Sequence, residues 1–196
     1  MRAAMLLGAW LVLFPLGHRH QGSGLASRLS PGTRLFYVSD GREQPPWVVD
    51  SVQIAQALKP GADCATLTLR RKPEDPKPER SRLCVASDTL YRWEKGAWAV
   101  YRPVGPDMSL TLVKANGDSV HYETGALGED MVSGNAIAVV STTVTTVDAS
   151  GRARLRVRER YALSLATAVS GTFEAPDPAA RGLWILKHTF ALKELR

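Results

Sequence analysis

From Arg34 onward, apolar and polar residues alternate in one short run after another, and each run stops at a turn signal. "RLFYVS" and "WVVDSVQI" flank "DGREQPP", and "TLYRWE" and "WAVYR" flank Lys95-Gly96. "SLTLVKA" and "SVHYET" flank Asn116-Gly117, the strongest short hairpin signal in the chain. "NAIAVVSTTVTTV" and "RARLRVRERYALS" flank "DASG", and "ATAVSGTFEA" and "LWILKHTFAL" flank "PDPAARG". A period of two sets successive side chains on opposite faces of a strand. The pattern predicts an all-β chain of about 9–11 antiparallel strands. Strands joined by tight turns pair with each other, so a single meander is expected, forming a barrel, a curved half-barrel or a sandwich. Only "SVQIAQALK", Ser51 to Lys59, offers a helix, one or two turns ended by Pro60-Gly61. No repeat or linker divides the chain, so residues 27–196 are expected to form one β-rich domain.

In "GRARLRVRERY", Gly151 to Tyr161, an arginine stands at every second position. Strand geometry puts Arg152, Arg154, Arg156, Arg158 and Arg160 on one face. Ala153, Leu155, Val157 and Tyr161 share the other, which becomes the core side. The preceding run "STTVTTVD", Ser141 to Asp148, brings threonines beside the arginines, with no carboxylate directly across in that hairpin. Two readings fit the stripe. One is a solvated face whose like charges discourage edge pairing. The other is an anion-binding face for phosphate head groups, acidic polysaccharide or an acidic protein.

A two-residue turn at Lys95-Gly96 sets Trp93 opposite Trp98 and Tyr91 opposite Val100. Such cross-strand pairs add about 0.2–1 kcal/mol and pin the register. Tyr91, Trp93 and Trp98 are either hairpin packing or the lining of an apolar ligand cavity, and the sequence leaves both open.

The N-terminus changes the setting. Arg2 precedes the apolar run "AAMLLGAWLVLFPLG", Ala3 to Gly17, about fifteen residues. That fits a signal-peptide core and falls short of the roughly 20 residues that span a bilayer. A small-x-small site at Gly24-Leu25-Ala26 places cleavage after Ala26, so residues 1–26 read as a signal peptide. Cleavage nearer Gly24, or retention as an anchor, are the alternatives. Removal takes Arg2 and Arg19 from 25 basic residues against 19 acidic ones, leaving 23 − 19 = +4. No transmembrane span is expected in the mature chain of 196 − 26 = 170 residues, which is long enough for one domain with its own core. With 44% apolar and 22% charged residues, the composition is globular rather than disordered. Arginine exceeds lysine and alanine is plentiful, a bias that fits a GC-rich bacterium.

Cys64 opens "CATLTLRR" and Cys84 closes "SRLCVA", with the charged, proline-rich "KPEDPKPER" between them as an exposed loop. If those runs form a hairpin, the cysteines face each other near its open end. In a periplasmic or secreted protein a Cys64–Cys84 disulfide is expected, worth roughly 3 kcal/mol by the chain-entropy estimate, the alternative being a pair of free buried thiols.

Candidate chemistry adds little. His121 and His188 stand in separate strands, and no His, Cys or carboxylate cluster has metal-ligand spacing. "GDSVH", Gly117 to His121, lacks the second glycine of a nucleophile elbow and sits in a hairpin. There is no glycine-rich phosphate loop. No catalytic residue, cofactor or metal is assigned, and the modest charge argues against nucleic acid.

In organisation the chain resembles the periplasmic β-barrel and half-barrel domains of bacterial envelopes, the lipoprotein-carrier type among them. "TTVDASGRARLRVRERYALSLATAVSGTFE" is the stretch most like them. The carrier family adds helices that plug its barrel, and this pattern predicts almost none. The resemblance implies an exported envelope protein that binds an apolar or amphiphilic ligand, such as a lipid, on a curved sheet. The alternative is an interaction module whose arginine face meets an acidic envelope polymer or protein, and an enzyme with a dispersed site comes third.

Overall fold

The structure, a computed structural model, describes residues 24–55, 58–70, 77–180 and 182–196; the apolar run of the expected leader lies outside them. The chain is all-β. The strands are β1 (Arg34–Ser39), β2 (Arg42–Glu43), β3 (Trp47–Ile54), β4 (Asp63–Arg70), β5 (Glu79–Ala86), β6 (Thr89–Glu94) and β7 (Ala97–Pro103). They continue as β8 (Ser109–Val113), β9 (Ser119–Val132), β10 (Asn135–Val147), β11 (Ala153–Ala162), β12 (Thr167–Pro176) and β13 (Trp184–Leu195), with one 3-10 turn at Leu163–Leu165.

Thirteen strands among the described residues exceed the expected 9–11. One addition is β2, two residues inside "DGREQPP" that pair with β1. The expected helix is also corrected. Ser51–Ile54 extends β3 and pairs with β4 from Ser51↔Thr68 to Ile54↔Ala65, while residues 56–57 lie outside the described residues. A short Ser-Val-Gln-Ile segment gains little from starting a helix, whereas the ladder satisfies its backbone directly. Of the predicted loop, Glu79 and Arg80 belong to β5, while residues 72–76 lie outside the described residues.

Turn chemistry sets the hairpins. Lys95 and Gly96 both have positive φ, +50° and +86°, the conformation whose twist matches the flanking strands. Trp93 therefore pairs with Trp98 and Tyr91 with Val100, as the sequence predicts.

All strands but β2 lie on one path in a single antiparallel sheet, in the order β7-β6-β5-β4-β3-β1-β13-β12-β11-β10-β9-β8. Most neighbours are consecutive in sequence, as in a meander. The pairing that curls the sheet round is β1 with β13, which joins the two ends of the chain through Tyr37↔Leu192 and Val38↔Ala191. The sheet is nearly closed into a barrel. Its edges, β7 and β8, are consecutive strands joined by residues 104–108, and this connection is tied to β9. Thr124 Oγ1 donates to the Gly105 carbonyl at 2.7 Å and accepts from the Met108 N–H at 2.8 Å.

One end is closed by the segment from Gly24 to Thr33. Leu25, Ala26 and Leu29 are buried in the core beside Leu165. The Ala26 and Arg28 N–H groups donate to the Leu163 and Ser164 carbonyls, each at 3.0 Å.

Candidate site inside the barrel

Alternation decides which side chains face inward. On β4 and β5 the inward positions include Leu67 and Leu69 opposite Ser81 and Glu79. On β6 the inward residues include Arg92, opposite Leu83. These residues line a cavity of about 420 Å³ inside the barrel. Leu29 and Leu165 meet it from the closing segment and the 3-10 turn; Leu35, Trp47, Leu67, Leu83 and Phe190 give it apolar walls. A second cavity, about 730 Å³, shares Glu159 and Phe190 with the first. It follows a row of small and polar residues, Thr124, Thr142, Glu159 and Gly171, across four strands. Gly171 is required there, because a Cβ would stand 2.7 Å from the Arg158 carbonyl and from the Phe190 ring.

The polar side of the first cavity centres on Arg102 of β7. Its Nη2 lies 2.5 Å from Glu159 Oε1 of β11, with the two side chains 7% and 12% exposed. The guanidinium also sits over the Tyr161 ring, 4.1 Å from its centroid. Arg102 Nε is buried without a hydrogen-bond partner. Arg92 lies 4.4 Å from the Tyr101 ring centroid and pairs with Glu94. Burial pushes the Tyr161 phenol well above its ordinary value, with Arg102 pulling the other way. Tyr37 is pushed up to about 12 by burial, against the hydrogen bond to Thr167, and its hydroxyl donates to the Ala168 carbonyl at 3.0 Å.

The expected site residues divide differently. Tyr91, Trp93 and Trp98 do not line the cavity, which corrects that reading. Because Arg92 points inward, its neighbours Tyr91 and Trp93 point outward, and Trp98 and Val100 follow by pairing. Outside, Trp93 and Trp98 meet edge to face at 5.4 Å, with Arg82 over Trp93 at 4.6 Å. That is hairpin packing. Cys64 and Cys84 are direct cross-strand partners, disulfide-bonded, with Cα atoms 4.0 Å apart. They also stand on the face opposite Leu83 and the cavity.

Arg154, Arg156, Arg158 and Arg160 of β11 share the face opposite Tyr161, whereas Arg152 precedes the strand; Arg156, Arg158 and Arg160 pair with Thr145, Thr143 and Ser141 as expected. One of their carboxylates comes from the hairpin's own turn and two from other strands. Arg154 meets Asp148 of the preceding turn at 2.5 Å, and Arg160 meets Asp130 of β9 at 3.1 Å. Arg156 is bound to Glu174 of β12, its register partner, and stacks 4.3 Å from the Trp184 ring centroid. Arg158 lies 3.7 Å from the same carboxylate. Four of the arginines thus share three carboxylates, and Glu123 of β9, across Thr143 from Arg158, lies on the same face.

Glu159 and Arg102 were not candidates in the sequence, yet Glu159 carried a signal. It is the one acidic residue among the inward positions Leu155, Val157 and Tyr161. His121 is held between the Thr111 and Ser119 hydroxyls, each at 2.9 Å, and His188 pairs with Asp40 at 2.8 Å. Neither lines the cavity. No group of three or more His, Cys, Asp or Glu suited to a metal exists among the described residues, and no helix among them is long and apolar enough to cross a membrane. Compared with protein-family models, curated proteins and solved structures, the chain matches none.

Proposed function

We propose that this protein is an exported, non-enzymatic binder that holds a small amphiphile inside its barrel. The observation that carries the reading is the divided wall of the 420 Å³ cavity, leucine and aromatic surface on one side and a buried Arg102–Glu159 pair on the other. Its volume lies in the range of small-molecule sites, which combine apolar lining with a few fixed polar groups. Apolar walls take a chain or ring. The unbonded Nε–H of Arg102 and the carboxylate of Glu159 offer a donor and an acceptor to a polar head. The Cys64–Cys84 bridge is compatible with an oxidising compartment, periplasmic or secreted.

The test is a one-site titration with an amphiphilic fluorescent probe, an anilinonaphthalene sulfonate, on the parent protein and on Leu83→Trp. Filling the cavity should abolish binding at one site per chain while circular dichroism keeps its strand signature. An unchanged affinity in the folded variant would place the probe elsewhere and end this reading.

A second reading rests on the arginine face, whose exposed Arg154 and Arg158 support contact with an acidic envelope polymer or protein.

A further inference from the structure

We infer that the leader is cut between Gly24 and Leu25, and that the new α-ammonium of Leu25 binds Asp63. The inference is independent of what the cavity holds. Within ten residues after the apolar run, two positions place small residues at both −3 and −1: Gly22-Ser23-Gly24 and Gly24-Leu25-Ala26. The sequence pattern places the cut after Ala26, and the fold favours the other. A cut after Ala26 removes Leu25 and Ala26, which are 6% and 2% exposed and belong to the core cluster. It also removes the Ala26 N–H bond to the Leu163 carbonyl, part of what fastens the closing segment. A cut after Gly24 keeps all of these.

The retained end already has its partner. The Leu25 N–H donates to Asp63 Oδ2 at 2.7 Å. Gly24 runs close to the same oxygen, where a Cβ would stand only 3.1 Å away. Hydrolysis by a leader peptidase breaks the Gly24–Leu25 amide. Hydroxide from water completes the Gly24 carboxylate, which departs with the leader, and the freed nitrogen takes up protons as an ammonium. A neutral amide donor to Asp63 thereby becomes a charged one, and charge-assisted hydrogen bonds are about twice as strong. The Leu25 and Leu29 plug is then fastened to the start of β4.

Expression with the native leader in a bacterial host, followed by intact mass and N-terminal sequencing, tests the cut. The mature chain should begin at Leu25. A start at Ser27, at any residue before Leu25, or at Met1 would overturn the proposal. Gly22→Arg occupies −3 of the proposed cut and −5 of the other, so it should accumulate precursor; continued processing to a Ser27 start would overturn it too. The pairing is read by α-amine acylation of folded mature protein at neutral pH. Asp63→Asn should speed it about tenfold, since an adjacent carboxylate holds an amine protonated by one unit or more. Equal rates would refute the ion pair.

Discussion

Arg102 and Glu159 meet inside the barrel across its seam. Arg102 belongs to β7, one edge of the sheet, and Glu159 to β11, the fourth strand counted from the other edge. No ladder joins β7 to β8, so this pair, the Tyr161 stack and the tie between residues 104–108 and β9 hold the edges together. One contact therefore serves the closure of the fold and the polar side of the cavity.

Removing one partner should show this. Glu159→Gln leaves a buried guanidinium without its carboxylate and should cost about 3–5 kcal/mol in urea denaturation. The double variant Arg102→Met, Glu159→Leu removes both charges and should recover most of that loss. A single variant within about 0.5 kcal/mol of the parent would mean the pair does not hold the seam.

Asp148 gives a pH signature. Its Oδ1 accepts from the Ser150 hydroxyl at 2.7 Å and the Arg152 N–H at 2.9 Å, and Arg154 lies beside Oδ2. Chiefly through the Ser150 hydrogen bond, its carboxyl is pulled down to about 2. A depressed carboxyl stabilises the fold fully above its unfolded value near 4, and that stability is lost as pH falls through the folded value. The stability difference between the parent and Asp148→Asn should hold steady at neutral pH and shrink between about pH 4 and 2. Carboxyl-carbon NMR should titrate Asp148 near 2; a midpoint close to 4 would refute the turn network.

The arginine stripe is not uniform. Arg154 and Arg158 side chains are 65% and 57% exposed, whereas Arg156, at 20%, is bound to Glu174 and stacked on Trp184. Arg154→Thr and Arg158→Thr should each stay within about 0.5 kcal/mol of the parent. Arg156→Thr should cost roughly 1.5–3 kcal/mol, the range for a lost hydrogen bond to a charged group. If the face binds acidic polymer, the Arg154/Arg158 double variant should lose affinity at unchanged stability, and parent binding should weaken steeply with salt. Equal affinity would leave the stripe as a solvated face.

The sequence by itself determined the strands, most of the hairpins and which residues share a face. Period-two alternation and turn residues act within a few positions of the chain, so Trp93 opposite Trp98, Cys64 opposite Cys84 and the common face of the arginines all follow locally. Only the tertiary structure decided which face is concave. The hairpin of Tyr91, Trp93 and Trp98 reads the same inside out, and it takes the β1–β13 pairing to curl the sheet toward Arg92. The carboxylates of the arginine stripe were hidden for a related reason, since Glu174 and Asp130 reach it from strands outside its own hairpin. Arg102 and Glu159 lie 57 residues apart, and the shift between Leu90 and Tyr91 in the β6–β7 register breaks the alternation just where Arg102 enters. Local physics orients a side chain relative to its own strand; its partner across a barrel depends on how the sheet closes.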